Sequence, residues 1–159
     1  MIPRRQISIL AGASGSGKTT LLLQAIQAWQ RDQPFPLRFN AKNCAYLVAD
    51  RTGTEVRDKA EALGVDIELY GLVDDRKFKK ELLNDPDRAL DVALQQFKKP
   101  YDLLILDPIM LFIKGNALDY RAVAVALVGL NRLACEKNMT IIATHHASKA
   151  RSDFSFMRP

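Results

Sequence analysis

Short apolar runs alternate with longer helical stretches along this chain, and the two patterns separate strands from helices. Ile7-Ser8-Ile9-Leu10-Ala11 is the first short run and predicts a strand. Thr20 to Trp29 follows as a stretch without a breaker, and predicts a helix that begins near Lys18. Arg31 to Asn43 holds Pro34 and Pro36 and reads as a loop. Ala45-Tyr46-Leu47-Val48-Ala49 is a second strand of buried type, ending at Asp50-Arg51. Thr54 can cap a helix from Glu55 to about Leu63, closed by Gly64. Ile67 to Val73 alternates and predicts a shorter strand. Two helical pieces follow, near residues 75–83 and 86–97, the second opening on Pro86.

Tyr101 to Asp107 contains four consecutive aliphatic residues and closes on an acid. Pro108 to Asn116 is strongly apolar for a loop and is expected to pack under the sheet; a subunit or DNA contact is the other reading. A long helix is predicted from about Asp119 to Lys137, then a last strand from Met139 to Thr144 that ends at His145-His146. Ala147 to Pro159 has no hydrophobic periodicity and is expected to be loose, so the domain reading is a core over residues 1–149 and a tail over 150–159. This alternation predicts an α/β domain, a three-layer sandwich with a mainly parallel sheet between helix layers. Ligands bind such sheets at the C-terminal ends of strands.

One strand end carries recognisable chemistry. Gly12-Ala13-Ser14-Gly15-Ser16-Gly17-Lys18-Thr19 fits G-x-x-x-x-G-K-[ST] between a predicted strand and a predicted helix. Glycines let successive N–H groups curl around a phosphate, and the helix adds its positive dipole end. Lys18 is placed for the β- and γ-phosphates, and the Thr19 hydroxyl for Mg²⁺. A nucleoside triphosphate is the expected ligand.

The other strand ends supply the remaining groups. Asp107 closes an apolar strand in the manner of a Walker B acid and is expected to hold Mg²⁺. Asp50 is a candidate to orient and deprotonate the attacking water. Of His145 and His146 only one can face the nucleotide, because adjacent strand residues point to opposite faces. That one would sense the γ-phosphate; Thr144 is a weaker candidate for the same cleft. The pair is not a metal site.

Composition narrows the class. The chain has 159 residues, the length of one domain, with 48% hydrophobic and 26% charged residues. Its net charge of +5 permits a polyanionic partner, and Arg76-Lys77-Phe78-Lys79-Lys80 is the densest basic run, read first as a solvated helix face. Cys44 and Cys135 lack metal-ligand spacing and are expected to be buried thiols in a reducing compartment. Neither a signal-peptide core nor a run of membrane-spanning length occurs, so a cytoplasmic location is expected.

Together, the strand followed by GASGSGKTT, then YLVADR, DLLILDP and TIIATHHASK, resemble the RecA-like ATPase core of RepA-type hexameric replicative helicases, including the helicase and primase-helicase ATPases of phages and plasmids. The resemblance runs from about Gln6 to Lys149. It implies ATP and Mg²⁺ on Gly12 to Thr20, Asp107 as the Walker B acid, and Asp50 where the family places its catalytic carboxylate, usually a glutamate. It implies that His145 or His146 couples the γ-phosphate to DNA-binding loops, and that the segment after Pro108 approaches single-stranded DNA. A homo-hexamer is implied for the full-length family member.

Two departures matter. Asp50 is one methylene shorter than glutamate. The chain also stops at Pro159, where relatives continue through strands that complete the sheet and supply an arginine to the neighbouring subunit's ATP. The expectation is a fragment or a protein that no longer works as a ring motor, with an exposed first strand and weak hydrolysis. A nucleotide or small-molecule kinase and a nucleotide-gated assembly module with little turnover are the alternatives.

Overall fold

The computed structural model describes residues 2–37, 39–49, 53–71, 85–97, 100–115 and 119–146. In chain order the elements are β1 (Ile7–Gly12), α1 (Lys18–Gln30), β2 (Cys44–Val48), α2 (Gly53–Leu63) and β3 (Glu68–Gly71). There follow α3 (Pro86–Gln96), β4 (Leu103–Asp107), a 3-10 turn (Ile109–Phe112), α4 (Tyr120–Glu136) and β5 (Thr140–His146). The predicted piece near 75–83, Asp50, the basic run at 76–80 and the tail from 147 lie outside the described residues.

The five strands form one sheet in the order β1-β5-β4-β2-β3, with every pairing parallel. Parallel neighbours need crossovers, and the crossover helices cover both faces. That is why the central strands read as unbroken apolar runs. Every residue of β2 and β4 is buried. Alternate residues divide between two cores. Tyr46, Val48, Leu103, Ile105 and Ile142 face α1 and α2, where Leu22, Leu23, Ile26, Trp29 and Val56 meet them. Ala45, Leu47, Leu104, Leu106, Ile141 and Ala143 face the other layer, built from Ala89, Leu90, Leu130 and Ala134. Burying each large aliphatic here stabilises by about 1.5–3 kcal/mol. The three-layer α/β expectation is met.

Ile109 and Phe112 of the 3-10 turn, with Ile113 after it, are buried, so the apolar stretch after Pro108 packs into the core. Its hydrophobicity is that of a lining, not of a loop. β1 pairs only with β5 among the described strands, and Ile9 on it is 48% exposed, as an edge strand requires.

Three local expectations change. Thr54 does not cap α2, because Gly53 is already helical and Thr54 lies in the first turn. The strand expected from Ile67 is confined, among the described residues, to Glu68–Gly71. Cys135 is exposed, since its position on α4 turns it away from the sheet, with Sγ at 3.2 Å from the Arg5 carbonyl. Cys44 is buried as expected.

Burial, with the charges of Asp102 and Asp66, pushes the Cys44 thiol from 9.0 up to about 12. The folded protein therefore binds this proton more tightly than the unfolded chain. The stabilisation is fully present below pH 9 and lost as pH rises toward 12, with a slope approaching about 1.4 kcal/mol per pH unit. Urea unfolding of wild type and Cys44→Ala across pH 8 to 11 is expected to show the steeper alkaline decline in wild type. At pH 7.5 a maleimide should label Cys135 quickly and Cys44 only after unfolding, because the thiolate is the nucleophile.

Candidate functional site

β1 delivers the chain at Gly12 into a tight turn, and α1 starts six residues later. Gly15 and Gly17 have φ of 74° and 84°, left-handed conformations that side chains resist. Gly17 is the N-cap of α1 and no side chain caps the helix. The first-turn N–H groups are thereby left to an external acceptor, and the dipole favours an anion there.

Lys18 opens α1 and is only 8% exposed. Its Nζ donates to the carbonyls of Gly12 at 3.0 Å and Ala13 at 2.9 Å, and lies 3.2 Å from His146 Nδ1. An ammonium carries only donors, so Nδ1 is the acceptor in that pair. These three acceptors match the three donors of the ammonium, which is held over the loop. Ser14, Ser16 and Thr20 are exposed and Ala13 is half-buried, along the outer side of the turn.

Thr19, buried, places its Oγ1 3.2 Å from Asp107 Oδ2. Asp107 is fully buried at the end of β4. Its side chain takes the α1 face because Leu103 and Ile105, two and four residues before it, take that face. The phenol of Tyr46 donates to Oδ2 at 2.8 Å, and the Thr144 hydroxyl donates to Oδ1.

The same alternation separates the two histidines. Ile142 faces the α1 layer and Ala143 the other. Thr144 and His146 continue the α1 face, and His145 continues the opposite one. His146 reaches Lys18 and is thus the histidine at the loop; parity places His145 on the other side of the sheet. β2 ends at Val48, in register with Asp107, so the strand end before Asp50 lies beside Asp107.

Lys18, Thr19, Asp107 and His146 therefore converge from α1, β4 and β5. One group escapes the sequence reading, and a second is ranked below its worth there. Tyr46 looks like a core aromatic, and Thr144 is overshadowed by the histidines. The signal for Tyr46 lies in its parity with Val48, opposite Asp107, because a buried phenol requires a partner. The donors offered to a cation are oxygens only, from a hydroxyl and a carboxylate 3.2 Å apart. No cluster of three metal-ligating side chains occurs among the described residues. That set fits Mg²⁺, which keeps its waters and takes few protein ligands beside substrate phosphates.

A groove of about 630 Å³ runs along α4 past Val125, Val128 and Gly129 and contains none of these residues. A phosphate cradle is a loop of N–H groups at the surface, not a cavity. Among the described residues no helix is long and apolar enough to cross a membrane.

A parallel sheet with a glycine-rich phosphate loop after β1, and an acid and a histidine closing β4 and β5, defines a RecA-like P-loop ATPase. The sequence matches the AAA domain family (AAA_25) over residues 1–152, and the chain belongs to that family. No curated protein matches it. Among solved structures, the chain is similar to a KaiC-like protein of the hyperthermophilic archaeon Pyrococcus horikoshii. The TM-score is 0.55 at 19% identity, over 92% of this chain and 65% of the other. At that identity the likeness establishes the fold. The chain spans just under two thirds of the length of that relative.

Proposed function

We propose that the chain binds Mg-ATP on Gly12 to Thr20, hydrolyses it, and couples the state of the nucleotide to single-stranded DNA, as in the replicative helicases whose motifs it resembles. The observation that carries this reading is the 3.2 Å contact between Lys18 Nζ and His146 Nδ1. The cation that reaches for the terminal phosphates touches the last residue of β5, so a phosphate that draws Lys18 away changes the end of that strand.

In this reading the loop N–H groups wrap the phosphates and Lys18 neutralises the β- and γ-oxygens. Thr19 and Asp107 hold Mg²⁺, which when bound offsets charge developing on the phosphates. Asp50 orients the attacking water. His146 takes the sensing role, and the net charge of +5 favours a polyanion. Assembly into a homo-oligomeric ring belongs to the same reading.

Phosphate release with and without a single-stranded oligonucleotide tests it. Turnover is expected to rise several-fold with the strand. A flat response, or phosphate transfer to a nucleoside in its place, would exclude the helicase-type reading. His146→Ala is expected to keep ATP affinity within about threefold, the scale of one modest hydrogen bond, and to remove the stimulation by DNA. His145→Ala should leave both unchanged. Full stimulation in His146→Ala would remove His146 from the coupling.

A further inference from the structure

Hydroxyl groups from α1, β2 and β5 converge on the Asp107 carboxylate. Thr19 Oγ1 lies 3.2 Å from Oδ2, Tyr46 Oη donates to that oxygen at 2.8 Å, and Thr144 Oγ1 donates to Oδ1. Thr19 belongs to the phosphate loop; Tyr46 and Thr144 do not. Their positions follow from the sheet. β2 and β5 are the two neighbours of β4. Val48 pairs with Asp107, which places Tyr46 one step back on the same face. Leu106 pairs with Ala143, which brings Thr144 level with Asp107 from the other side.

Both side chains are fully buried, and Tyr46 is the largest such side chain among the described residues. A phenylalanine and a valine would fill the same space without a polar atom. Here each hydroxyl is satisfied by the carboxylate, and each grips a different oxygen. An aspartate at a strand end is otherwise free to turn about its terminal torsion, which is broad. Held from both neighbouring strands, its plane is fixed.

We propose that Tyr46 and Thr144 are positioning residues that hold the Asp107 carboxylate in one orientation beside Thr19, and that this grip sets the affinity and selectivity of the site for Mg²⁺. The inference rests on the Mg-ATP reading above and extends it to residues outside the loop. A carboxylate has about four acceptor positions, and the hydroxyls take at least three of them. Bidentate ligation, which Ca²⁺ uses readily, is closed off. Mg²⁺, which keeps several waters in a strict octahedral shell and takes a carboxylate through one oxygen or through water, does not need that geometry. Removing one hydroxyl reopens an acceptor position and releases the carboxylate plane.

The test is binding of a fluorescent ATP analogue to the full chain in EDTA, then across Mg²⁺ and Ca²⁺ titrations. Tyr46→Phe and Thr144→Val are expected to keep metal-free affinity within about twofold. The Mg²⁺ needed for half-maximal strengthening should rise about tenfold, the lower end of outer-partner effects on metal sites. The Ca²⁺ requirement should change less, so the preference for Mg²⁺ narrows. Thr144→Ser, which keeps the hydroxyl, should restore it. A purely structural role would lower the melting temperature without moving the metal dependence. Wild-type Mg²⁺ dependence in the folded variants overturns the inference and leaves the Mg-ATP reading standing; if Tyr46→Phe does not fold, the Thr144 pair decides. If wild type itself shows no strengthening by Mg²⁺, that reading falls and the inference with it.

Discussion

Lys18→Ala is expected to weaken ATP binding by at least about a hundredfold and to remove turnover, while the fold survives. The ammonium is held in advance at the mouth of the loop, with the Gly12 and Ala13 carbonyls at 3.0 and 2.9 Å. A preorganised group of this kind loses little order when phosphate arrives. Deleting one preorganised donor from an anion site costs about 2.7–4 kcal/mol, which is the basis of the hundredfold figure. The cost to stability is smaller, about 1 kcal/mol, because the two carbonyls lie at the loop and can turn to water. Titration with a fluorescent ATP analogue, beside a thermal melt, separates the two effects. Affinity within threefold of wild type would show that the loop binds phosphate without its lysine, and the ATPase reading of the site would fail.

The phosphate loop is legible in the sequence because all its chemistry is local. Glycines, lysine and threonine occur at fixed spacing between a strand and a helix, and the left-handed Gly15 and Gly17 follow from that spacing. The sheet is nearly as legible. Two-faced burial turns β2 and β4 into continuous apolar runs, which length and turn residues identify as strands. What surrounds Asp107 is not local. The Tyr46 hydroxyl crosses 61 positions of sequence to reach it and the Thr144 hydroxyl 37. No period in either strand announces a partner; only the pairing register does. The choice between His145 and His146 is of the same kind. Alternation says that one of them faces the loop, and the common face of Ile142, Thr144 and His146 says which. Cys135 fails for a related reason: a thiol without metal-ligand spacing is expected to be buried, whereas the face of α4 that carries Val125, Val128 and Cys135 turns outward.

The edge position of β1 ties the fold to the site. The strand that ends in the phosphate loop is held by β5 alone among the described strands, in a register that sets Gly12 against His146. Loop and histidine are therefore parts of one pairing. A nucleotide that shifts Lys18 acts on the one described strand that pairs with β1, which gives the proposed coupling a physical route without any distant relay.

Asp107→Asn is the second substitution of large expected effect, and it should fail differently from Lys18→Ala. The change is nearly isosteric, but it replaces one acceptor oxygen with an amide that donates. Thr19, Tyr46 and Thr144 all direct hydroxyls at this side chain. At least one of them must then turn away inside a fully buried site, at a cost of about 1–3 kcal/mol in stability. The loop itself is untouched, so ATP binding in EDTA should stay near wild type. Strengthening by Mg²⁺ should disappear, and turnover should fall by about 10²–10³, the scale of losing one preorganised electrostatic group at the reacting phosphate. Nucleotide titrations with and without Mg²⁺, set beside phosphate release, distinguish the two variants: one loses the ligand, the other loses only what the metal adds. If Asp107→Asn kept its response to Mg²⁺, the carboxylate would be a buried strut for three hydroxyls, and the cation would have to be held elsewhere.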